Sequence, residues 1–287
     1  MRRGVIIGSS LGAVAIGAVA AYKARYINPY SPVLERISLP LPPGHEGLHG
    51  LTIGFLTDSH VGPFFSHDDL TRATKLLASV KPDLILLGGD YISESPRFIG
   101  PTVEVLRELV HASSHGGLAV MGNHDLSVSE PKVTEAFKSA GIPILRNAAA
   151  PVAHNGDTLW IAGVDESLLG TPDPARTFAQ IPPGAACLAV WHEPSFAEQV
   201  AARGAFAQLS GHTHGGQIRL PAIGPVGLPA DGRCHVIGFN TVAGMPVYTS
   251  RGVGVYRPPM RFRCPPEVTL VTLVAPERYR NAGHDPS

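Results

Sequence analysis

The chain has 287 residues, of which 44% are hydrophobic and 16% are charged, a composition that can bury one substantial core and indicates a single catalytic domain. Lysine plus arginine and aspartate plus glutamate both number 23, so the formal net charge is zero, and without a basic field nucleic acid is excluded as a partner. The three cysteines show no paired spacing, which argues against a zinc ribbon and leaves a Cys234 to Cys264 bridge open.

The amino terminus carries a segment that we assign to targeting rather than to the folded domain. Two arginines precede an uncharged stretch, residues 4–22, which is followed by Lys23 and Arg25. At about 1.5 Å per residue, a helix of this length falls just short of the hydrocarbon thickness of about 30 Å. We predict that residues 1–25 anchor the protein in the cytoplasmic membrane, with the catalytic domain on the outer side. The alternative is an exported protein whose signal peptide is cleaved near residues 18–20.

The rest of the chain divides into three parts. Residues 26–50 are predicted to be a linker and a first strand, residues 51–275 the catalytic domain, and residues 276–287 a flexible tail. The predicted strands cover 51–56, 84–87, 117–121, 159–164, 186–191, 247–248 and 268–274, and the predicted helices cover 68–80, 101–112 and 131–140. This alternation indicates an α/β (α+β) fold with two mixed sheets flanked by helices.

Polar motifs directly follow four of the predicted strands, and a fifth lies at residues 211–214. The carboxyl ends of strands are where open α/β sheets place their sites. Residues two apart on an extended backbone project to the same side, so the first and last motifs can each point two side chains at one ion. The motifs are T-D-S-H with Asp58 and His60, G-G-D with Asp90, G-N-H-D with Asn123, His124 and Asp125, W-H-E with His192, and G-H-T-H with His212 and His214.

These motifs predict a site for two divalent metal ions. The ligands on offer are carboxylate and amide oxygens and imidazole nitrogens, a mixture that suits manganese, iron, zinc or nickel and does not choose among them. Two such ions lower the pKa of a bound water from about 15.7 towards 7 and clamp both oxygens of a displacement at phosphorus. A phosphoesterase is therefore favoured over an inert polar network.

The order of the motifs resembles that of the calcineurin-like metallophosphoesterases, over about residues 35–275. The resemblance implies a four-layer sandwich and attack on phosphorus by a metal-bound hydroxide. It also implies that His124 protonates the leaving oxygen and that Asp125 orients His124. One ion would be held by Asp58, His60, Asp90 and His214, and the other by Asp90, Asn123, His192 and His212, with Asp90 bridging.

A closer resemblance is to a bacterial branch of membrane-linked or exported phosphoesterases, carried by residues 211–221 and 261–273. Members of that branch hydrolyse lipid-linked pyrophosphates and phospholipid-like diesters. The resemblance therefore implies a phosphodiester or pyrophosphate substrate with a lipid portion. Apolar side chains at residues 64–65 and 221–228 are candidate contacts for an acyl chain.

Three basic residues beyond the last motif are candidate contacts for the substrate phosphate, since a guanidinium can bind it through two hydrogen bonds. They are Arg233, His235 and Arg251. Two other functions stay open, namely a phosphatase of small soluble monoesters and a metal-binding scaffold without turnover. The presence of His124 argues against the scaffold.

Overall fold

A computed structural model describes residues 2–281, and its strands form two large mixed sheets and a two-stranded ribbon. The strands are β1 (Val33–Pro40), β2 (Thr52–Leu56), β3 (Leu84–Leu87), β4 (Gly117–Ala119), β5 (Ala148–His154), β6 (Asp157–Gly163), β7 (Ala186–Val190), β8 (Ala207–Ser210), β9 (Arg219–Leu220), β10 (Gly224–Pro225), β11 (Gly238–Val242), β12 (Met245–Thr249) and β13 (Glu267–Val274). The helices are α1 (Arg2–Tyr26), α2 (His67–Ala78), α3 (Ile99–His111), α4 (Asn123–Ser139), α5 (Pro174–Phe178), α6 (Ala197–Ala201) and α7 (Pro276–Asn281). The predicted fold, two mixed sheets flanked by helices, is confirmed.

The first sheet has the strand order β1-β13-β2-β3-β4. Its neighbouring strands are parallel except for β13 and β2, which are antiparallel. β3 is buried along its whole length, and β2 is buried after Thr52, which is why both strands were predictable as continuous apolar runs. Because β2, β3 and β4 are parallel, the polar motifs that follow them reach the same edge of the sheet.

The second sheet has the strand order β11-β12-β8-β7-β6-β5. Its four middle strands are parallel, and an antiparallel hairpin completes each edge. Side chains from the facing sides of the two sheets form one buried cluster, in which Phe55 and Leu86 come from the first sheet and Ile161, Leu188 and Leu209 from the second. This packing brings the carboxyl ends of β7 and β8 beside those of β2 and β3.

Helices α2, α3 and α4 contribute to a second buried cluster together with side chains of the first sheet. α2 begins after Ser66, whose hydroxyl accepts a hydrogen bond from the Asp69 amide while the Asp69 carboxylate accepts one from the Ser66 amide. This reciprocal pair satisfies two amides that the first turn of a helix leaves free. The observed start of α2 at His67 is one residue before the predicted start at residue 68.

The starts of α3 and α4 differ from the prediction. α3 begins at Ile99, after a short 3-10 turn, where we predicted a start at Pro101. α4 begins at Asn123 instead of Pro131, and a residue with extended backbone, Ser129, kinks the helix before the proline. Asn123, His124 and Asp125 of the G-N-H-D motif thus lie in the first turn of α4.

The amino-terminal segment forms α1, and here the prediction was wrong. None of the helices within residues 2–281 is long and apolar enough to cross a membrane, so the predicted anchor at residues 1–25 fails, and so does the localisation in the cytoplasmic membrane with the domain outside. Alanine, glycine and serine fill much of the segment, and they offer less apolar surface than leucine or isoleucine. The end of α1 contacts the domain, because the Arg261 amide donates to the Ala24 carbonyl at 2.8 Å.

The carboxyl-terminal segment is helical where we predicted a flexible tail from residue 276. α7 covers the first part of it, and the Arg278 guanidinium lies 3.1 Å from the His49 ring. The rest of the predicted tail, residues 282–287, lies outside the described residues.

All three cysteines are free. Cys187 and Cys264 are buried, whereas Cys234 is exposed. The bridge between Cys234 and Cys264 that the sequence left open is therefore not formed in this structure.

Candidate metal centre

The nine motif residues converge beside the ends of five strands. Asp58 follows β2, Asp90 follows β3, Asn123 lies beyond β4, His192 follows β7 and His212 follows β8. The two sheets meet here, since the His192 Nδ1 lies 2.7 Å from the Gly88 carbonyl and the His212 amide donates to Asp58 at 3.0 Å. The predicted gathering of these motifs at one sheet edge is what the structure shows.

The backbone that presents these residues is left-handed, not extended. Asp58 has φ 55° and His60 has φ 45°, while Asp90, His212 and His214 lie between 51° and 66°. We predicted that Asp58 and His60, and likewise His212 and His214, share one side of an extended backbone. This prediction was wrong for both pairs. Residues other than glycine adopt this left-handed region rarely and at a cost of about 1–3 kcal/mol each. The fold therefore maintains several strained residues within this one cluster.

One group of side chains is formed by Asp58, His60 and His214, whose ligand atoms lie within 4.8 Å of one another. The Nε2 atoms of the two histidines are 2.9 Å apart. The Asp58 Oδ1 is 3.4 Å from Nε2 of His214 and 3.9 Å from Nε2 of His60. Gly211 makes this arrangement feasible, because a Cβ at that position would collide with the Asp58 carboxylate.

A second group contains Asp90, His192 and His212. The Asp90 Oδ2 is 3.2 Å from the His192 Nε2 and 3.4 Å from the His60 Nε2. One carboxylate oxygen thus faces an imidazole of each group. This is the position that a bridging ligand requires.

Two observations test whether these residues fit metal ions. The Nε2 atoms of His60 and His214 face each other, and in the tautomers that carry the proton on Nδ1 both present a lone pair that a cation between them would accept. Among the described residues, the buried Oδ1 of Asn123 has no hydrogen-bond partner, although buried polar atoms are normally satisfied. The oxygen and nitrogen donors therefore fit divalent ions.

The electrostatic environment keeps two of the imidazoles neutral. Burial lowers the pKa of His60 to about 3, with the neighbouring His124 and His192 adding to the effect. Burial and then His60 hold the pKa of His214 well below its usual value. A neutral imidazole is the form that ligates a metal. Burial raises the pKa of Asp58, because it disfavours the ionised carboxylate. A bound cation would favour the ionised form again.

The Asp125 carboxylate is held by three main-chain amides. Its Oδ2 accepts hydrogen bonds from the amides of Asp90 at 2.8 Å and Gly122 at 3.0 Å, and its Oδ1 accepts one from Tyr91 at 2.9 Å. In the described part of the chain, every hydrogen bond to this carboxylate comes from a main-chain amide. Asp125 therefore ties the Asp90 loop to the start of α4, and no hydrogen bond among the described residues joins its carboxylate to the His124 ring.

His124 lies in the first turn of α4, at the edge of the cluster. Its amide donates to the Asp90 Oδ1 at 2.8 Å. Its ring packs edge-on against His60, with 4.7 Å between ring centroids, and against Tyr256 at 4.5 Å. His124 is thus close to the predicted ligands, and its side chain is only half-buried.

Asp231 belongs to the centre although no motif pointed to it. Its Oδ1 lies 3.0 Å from the His212 Nε2, which leaves the His212 Nδ1 free for a ligand. The hydrogen bond to His212 lowers the pKa of Asp231. Carboxylates that hold the outer nitrogen of a ligand histidine are a recurrent feature of metal sites. No motif in the sequence points to Asp231, because it lies in a loop without a spacing pattern.

A cavity of about 420 Å³ opens over the cluster. Motif side chains form its floor, and one wall is apolar, with Leu168, Ile218, Val226 and Leu228. Val226 and Leu168 are 57% and 51% exposed. Apart from histidines, Arg257 is the one cationic side chain among the described residues that line it.

The three predicted phosphate contacts do not line this cavity. Arg251 forms ion pairs with Glu35 and Glu267, so its charge is engaged in the fold. Arg233 is exposed and His235 is half-buried, and neither is among the residues that line the cavity. Of the predicted acyl contacts, Phe65 is buried in the core, whereas Val226 and Leu228 do line the cavity.

Comparisons with known proteins agree with this geometry. The profile of the calcineurin-like phosphoesterase family matches residues 51–216. The chain is 31% identical over 281 residues to the uncharacterized metallophosphoesterase YkuE of Bacillus subtilis, covering 95% of this chain and 98% of the relative. It is 35% identical over 227 residues to the phosphodiesterase YaeI of Escherichia coli, covering 77% and 81%. It is 23% identical over 318 residues to the UDP-2,3-diacylglucosamine pyrophosphatase LpxG of Chlamydia trachomatis, covering 86% and 91%.

The family match covers more than half of the chain, and it includes all nine motif residues. The resemblance stated from the motifs alone is therefore confirmed. The clustered carboxylates and imidazoles form groups that could hold the divalent metal ions that this family uses. The chain belongs to the calcineurin-like phosphoesterase family and is a metal-dependent phosphoric ester hydrolase.

Proposed function

We propose that the protein hydrolyses a phosphodiester or pyrophosphate bond in a substrate with an apolar, lipid-like portion, using two metal ions. The observation that carries this proposal is the cavity, whose floor is the metal-ligand cluster and whose wall is apolar. A small soluble monoester would gain nothing from such a wall. The names of two relatives, a phosphodiesterase and a diacylglucosamine pyrophosphatase, support the same substrate class.

The proposed ligands fall into two sets that share Asp90. One set is Asp58, His60, Asp90 and His214, and the other is Asp90, Asn123, His192 and His212. Manganese, iron, zinc and nickel all suit these donors. When bound, the two ions supply a water-derived nucleophile near neutral pH and positive charge for the phosphoryl oxygens.

His124 is proposed as the general acid. Its ring lies at the cavity surface and beside His60, so it can reach the oxygen that leaves phosphorus. As the bond from phosphorus to that oxygen breaks, the electron pair stays on the oxygen and the imidazolium proton transfers to it. Asp125 acts indirectly, by fixing the Asp90 loop through main-chain hydrogen bonds.

The apolar wall is proposed to bind the acyl portion. A contiguous apolar patch rimmed by polar residues is a common mark of a ligand-binding groove, and Leu168, Ile218, Val226 and Leu228 line one wall of this cavity. Each methylene buried from water contributes about 0.8 kcal/mol, so a few methylenes are enough to change affinity tenfold. Arg257 lines the same cavity and pairs with Glu94 at 2.8 Å, and its remaining donors are proposed to contact a substrate phosphate.

The test uses the manganese-loaded protein with p-nitrophenyl phosphate, bis-p-nitrophenyl phosphate and a pair of pyrophosphate diesters that differ only in carrying acyl chains. We expect diester turnover to exceed monoester turnover, and the acylated substrate to have a KM lower by about tenfold. Val226→Asn should raise KM for the acylated substrate alone. Val19→Asn, at an equally exposed valine on α1, is the matched control.

Each other outcome contradicts the proposal in a defined way. Turnover of monoesters alone would identify a phosphatase of small soluble substrates. Metal uptake without any turnover would identify a scaffold. Equal KM values with and without acyl chains would remove the lipid portion from the proposal and leave the diesterase.

Asp231→Asn is expected to weaken metal binding rather than to remove the site. Loss of the carboxylate that holds the His212 Nε2 should lower the affinity of one of the two ions by about 10–100-fold. Turnover should recover at high metal concentration. Equilibrium dialysis with metal analysis measures the affinity, and Asp68→Asn, an exposed aspartate on α2, is the control. Unchanged affinity for both ions would show that Asp231 does not act on His212.

A further inference from the structure

We propose that Tyr256 is the residue that positions His124 for proton transfer, and that Gln217 in turn fixes Tyr256. This inference rests on the proposed role of His124 as the general acid. The family resemblance implied that Asp125 orients His124. The Asp125 carboxylate, however, accepts hydrogen bonds from the amides of Asp90, Tyr91 and Gly122. The His124 ring therefore needs another neighbour to fix its orientation.

Two aromatic contacts define the orientation of the His124 ring. Tyr256 meets it at 4.5 Å between centroids with an interplanar angle of 65°, and His60 meets it at 4.7 Å and 81°. Tyr256 also stacks on His60 at 5.3 Å and 30°. The three rings thus form one packed group, in which His60 belongs to the ligand cluster. Edge-to-face packing of this kind restricts rotation of a ring about its side-chain bonds.

Tyr256 is itself fixed by a side chain from the last motif segment. The Gln217 Oε1 accepts a hydrogen bond from the Tyr256 amide at 2.8 Å, and its Nε2 donates to the Tyr256 carbonyl at 3.2 Å. Gln217 is only 9% exposed to solvent, and its backbone has φ 46°. It follows His212 and His214 in the G-H-T-H-G-G-Q stretch. One short segment therefore carries two proposed ligands and also anchors the tyrosine that packs on His124.

The aromatic ring, rather than the phenol hydroxyl, carries this role, because the contacts with His124 and His60 are ring contacts. Tyr256 also lines the cavity beside His124, so it lies where the leaving group must depart. A smaller aliphatic side chain would leave space in which the His124 ring could turn away from the leaving oxygen. Phenylalanine would preserve the packing.

The test compares aryl methyl phosphodiesters whose leaving phenols range from strongly acidic to weakly acidic. A nitrophenolate leaves without a proton, whereas a weakly acidic phenol depends on the general acid. We expect Tyr256→Leu to lower kcat by about 10–100-fold for the least acidic phenol, part of the 10²–10⁴-fold that general acids contribute, and to leave p-nitrophenolate release nearly unchanged. Tyr256→Phe should restore the native pattern. Gln217→Met should reproduce the leucine variant in milder form.

A spectroscopic readout that does not depend on turnover accompanies the kinetics. In the zinc-loaded, ¹³C-histidine-labelled protein, the Hε1 resonance of His124 is identified by its absence from His124→Ala. Because an aromatic ring shifts the signals of protons near its face or edge, this resonance should move in Tyr256→Leu and stay in place in Tyr256→Phe. Tyr22→Leu, at an exposed tyrosine of α1, should change neither measurement.

The outcomes separate this inference from the proposed function. His124→Ala should itself make kcat depend steeply on the acidity of the leaving phenol. If it does so while Tyr256→Leu lowers kcat equally for all phenols, or not at all, the positioning role of Tyr256 is overturned and the acid role of His124 stands. A flat dependence in His124→Ala would overturn both. Thermal melting of each variant confirms that it is folded.

Discussion

Asp90→Asn is expected to lower kcat by about 10³-fold, or about 4 kcal/mol, and to reduce metal content from two ions per chain towards one. The Asp90 Oδ2 faces His60 at 3.4 Å and His192 at 3.2 Å, and its Oδ1 accepts the His124 amide at 2.8 Å. Although burial alone would raise the pKa of Asp90, the neighbouring His192 and His60 hold it well below its usual value, so this carboxylate is ionised. Asparagine keeps the shape but removes the charge shared by both proposed metal positions.

The measurement combines steady-state kinetics on a phosphodiester with metal analysis of the dialysed protein. Asp68→Asn makes the same chemical change on the exposed face of α2 and should keep native turnover and two ions. Thermal melting distinguishes loss of the site from loss of the fold. An Asp90→Asn protein with two ions and at least half of native kcat would show that Asp90 does not bridge the centre.

The sequence predicted the centre because its ligands carry strong local signals. Each of Asp58, Asp90 and His192 directly follows a buried apolar strand, and parallel strands bring their carboxyl ends to one edge. The order of the motifs then identified the family without any long-range information. What the sequence described poorly was the backbone, since the left-handed conformation of Asp58 and His60 depends on contacts with distant segments.

The residues that support the ligands were not predictable for a related reason. Asp231 contacts His212 through a loop without periodicity, and Tyr256 reaches His124 across more than a hundred positions of the chain. Neither contact leaves a spacing pattern in the sequence. Arg251 was predicted as a substrate contact from its charge and its position in the sequence. The sequence does not show that Arg251 pairs with Glu35 and Glu267. Arg257, which does line the cavity, is itself paired with Glu94, so neither residue type nor ion pairing alone decides which basic group faces the cavity.

A buried arginine, Arg261, holds together the 251–264 segment, which lies against the metal-ligand cluster. Its side chain is fully buried and donates hydrogen bonds to the carbonyls of Arg251 at 2.8 Å, Gly252 at 3.1 Å, Cys264 at 3.3 Å and Gly254 at 2.6 Å. The same loop pairs with the backbone of the first motif, since the Gly254 amide donates to the Asp58 carbonyl at 2.8 Å. The guanidinium thus supports the left-handed turn that presents Asp58.

Arg261→Met is therefore expected to destabilise the protein by about 3–5 kcal/mol, because methionine fills much of the volume but leaves several buried carbonyls without donors. At about 2–4 °C per kcal/mol, the melting temperature should fall by about 6–20 °C. Arg261→Lys retains the charge but not the fork of donors, so its effect should be intermediate. Arg72→Met, at an exposed arginine whose surface ion pair contributes at most about 1 kcal/mol, is the control. If the methionine variant melts within 2 °C of the native protein, Arg261 does not hold the Asp58 turn, and the main-chain hydrogen bonds of Asp58 with Gly89 and Gly254 suffice without the guanidinium.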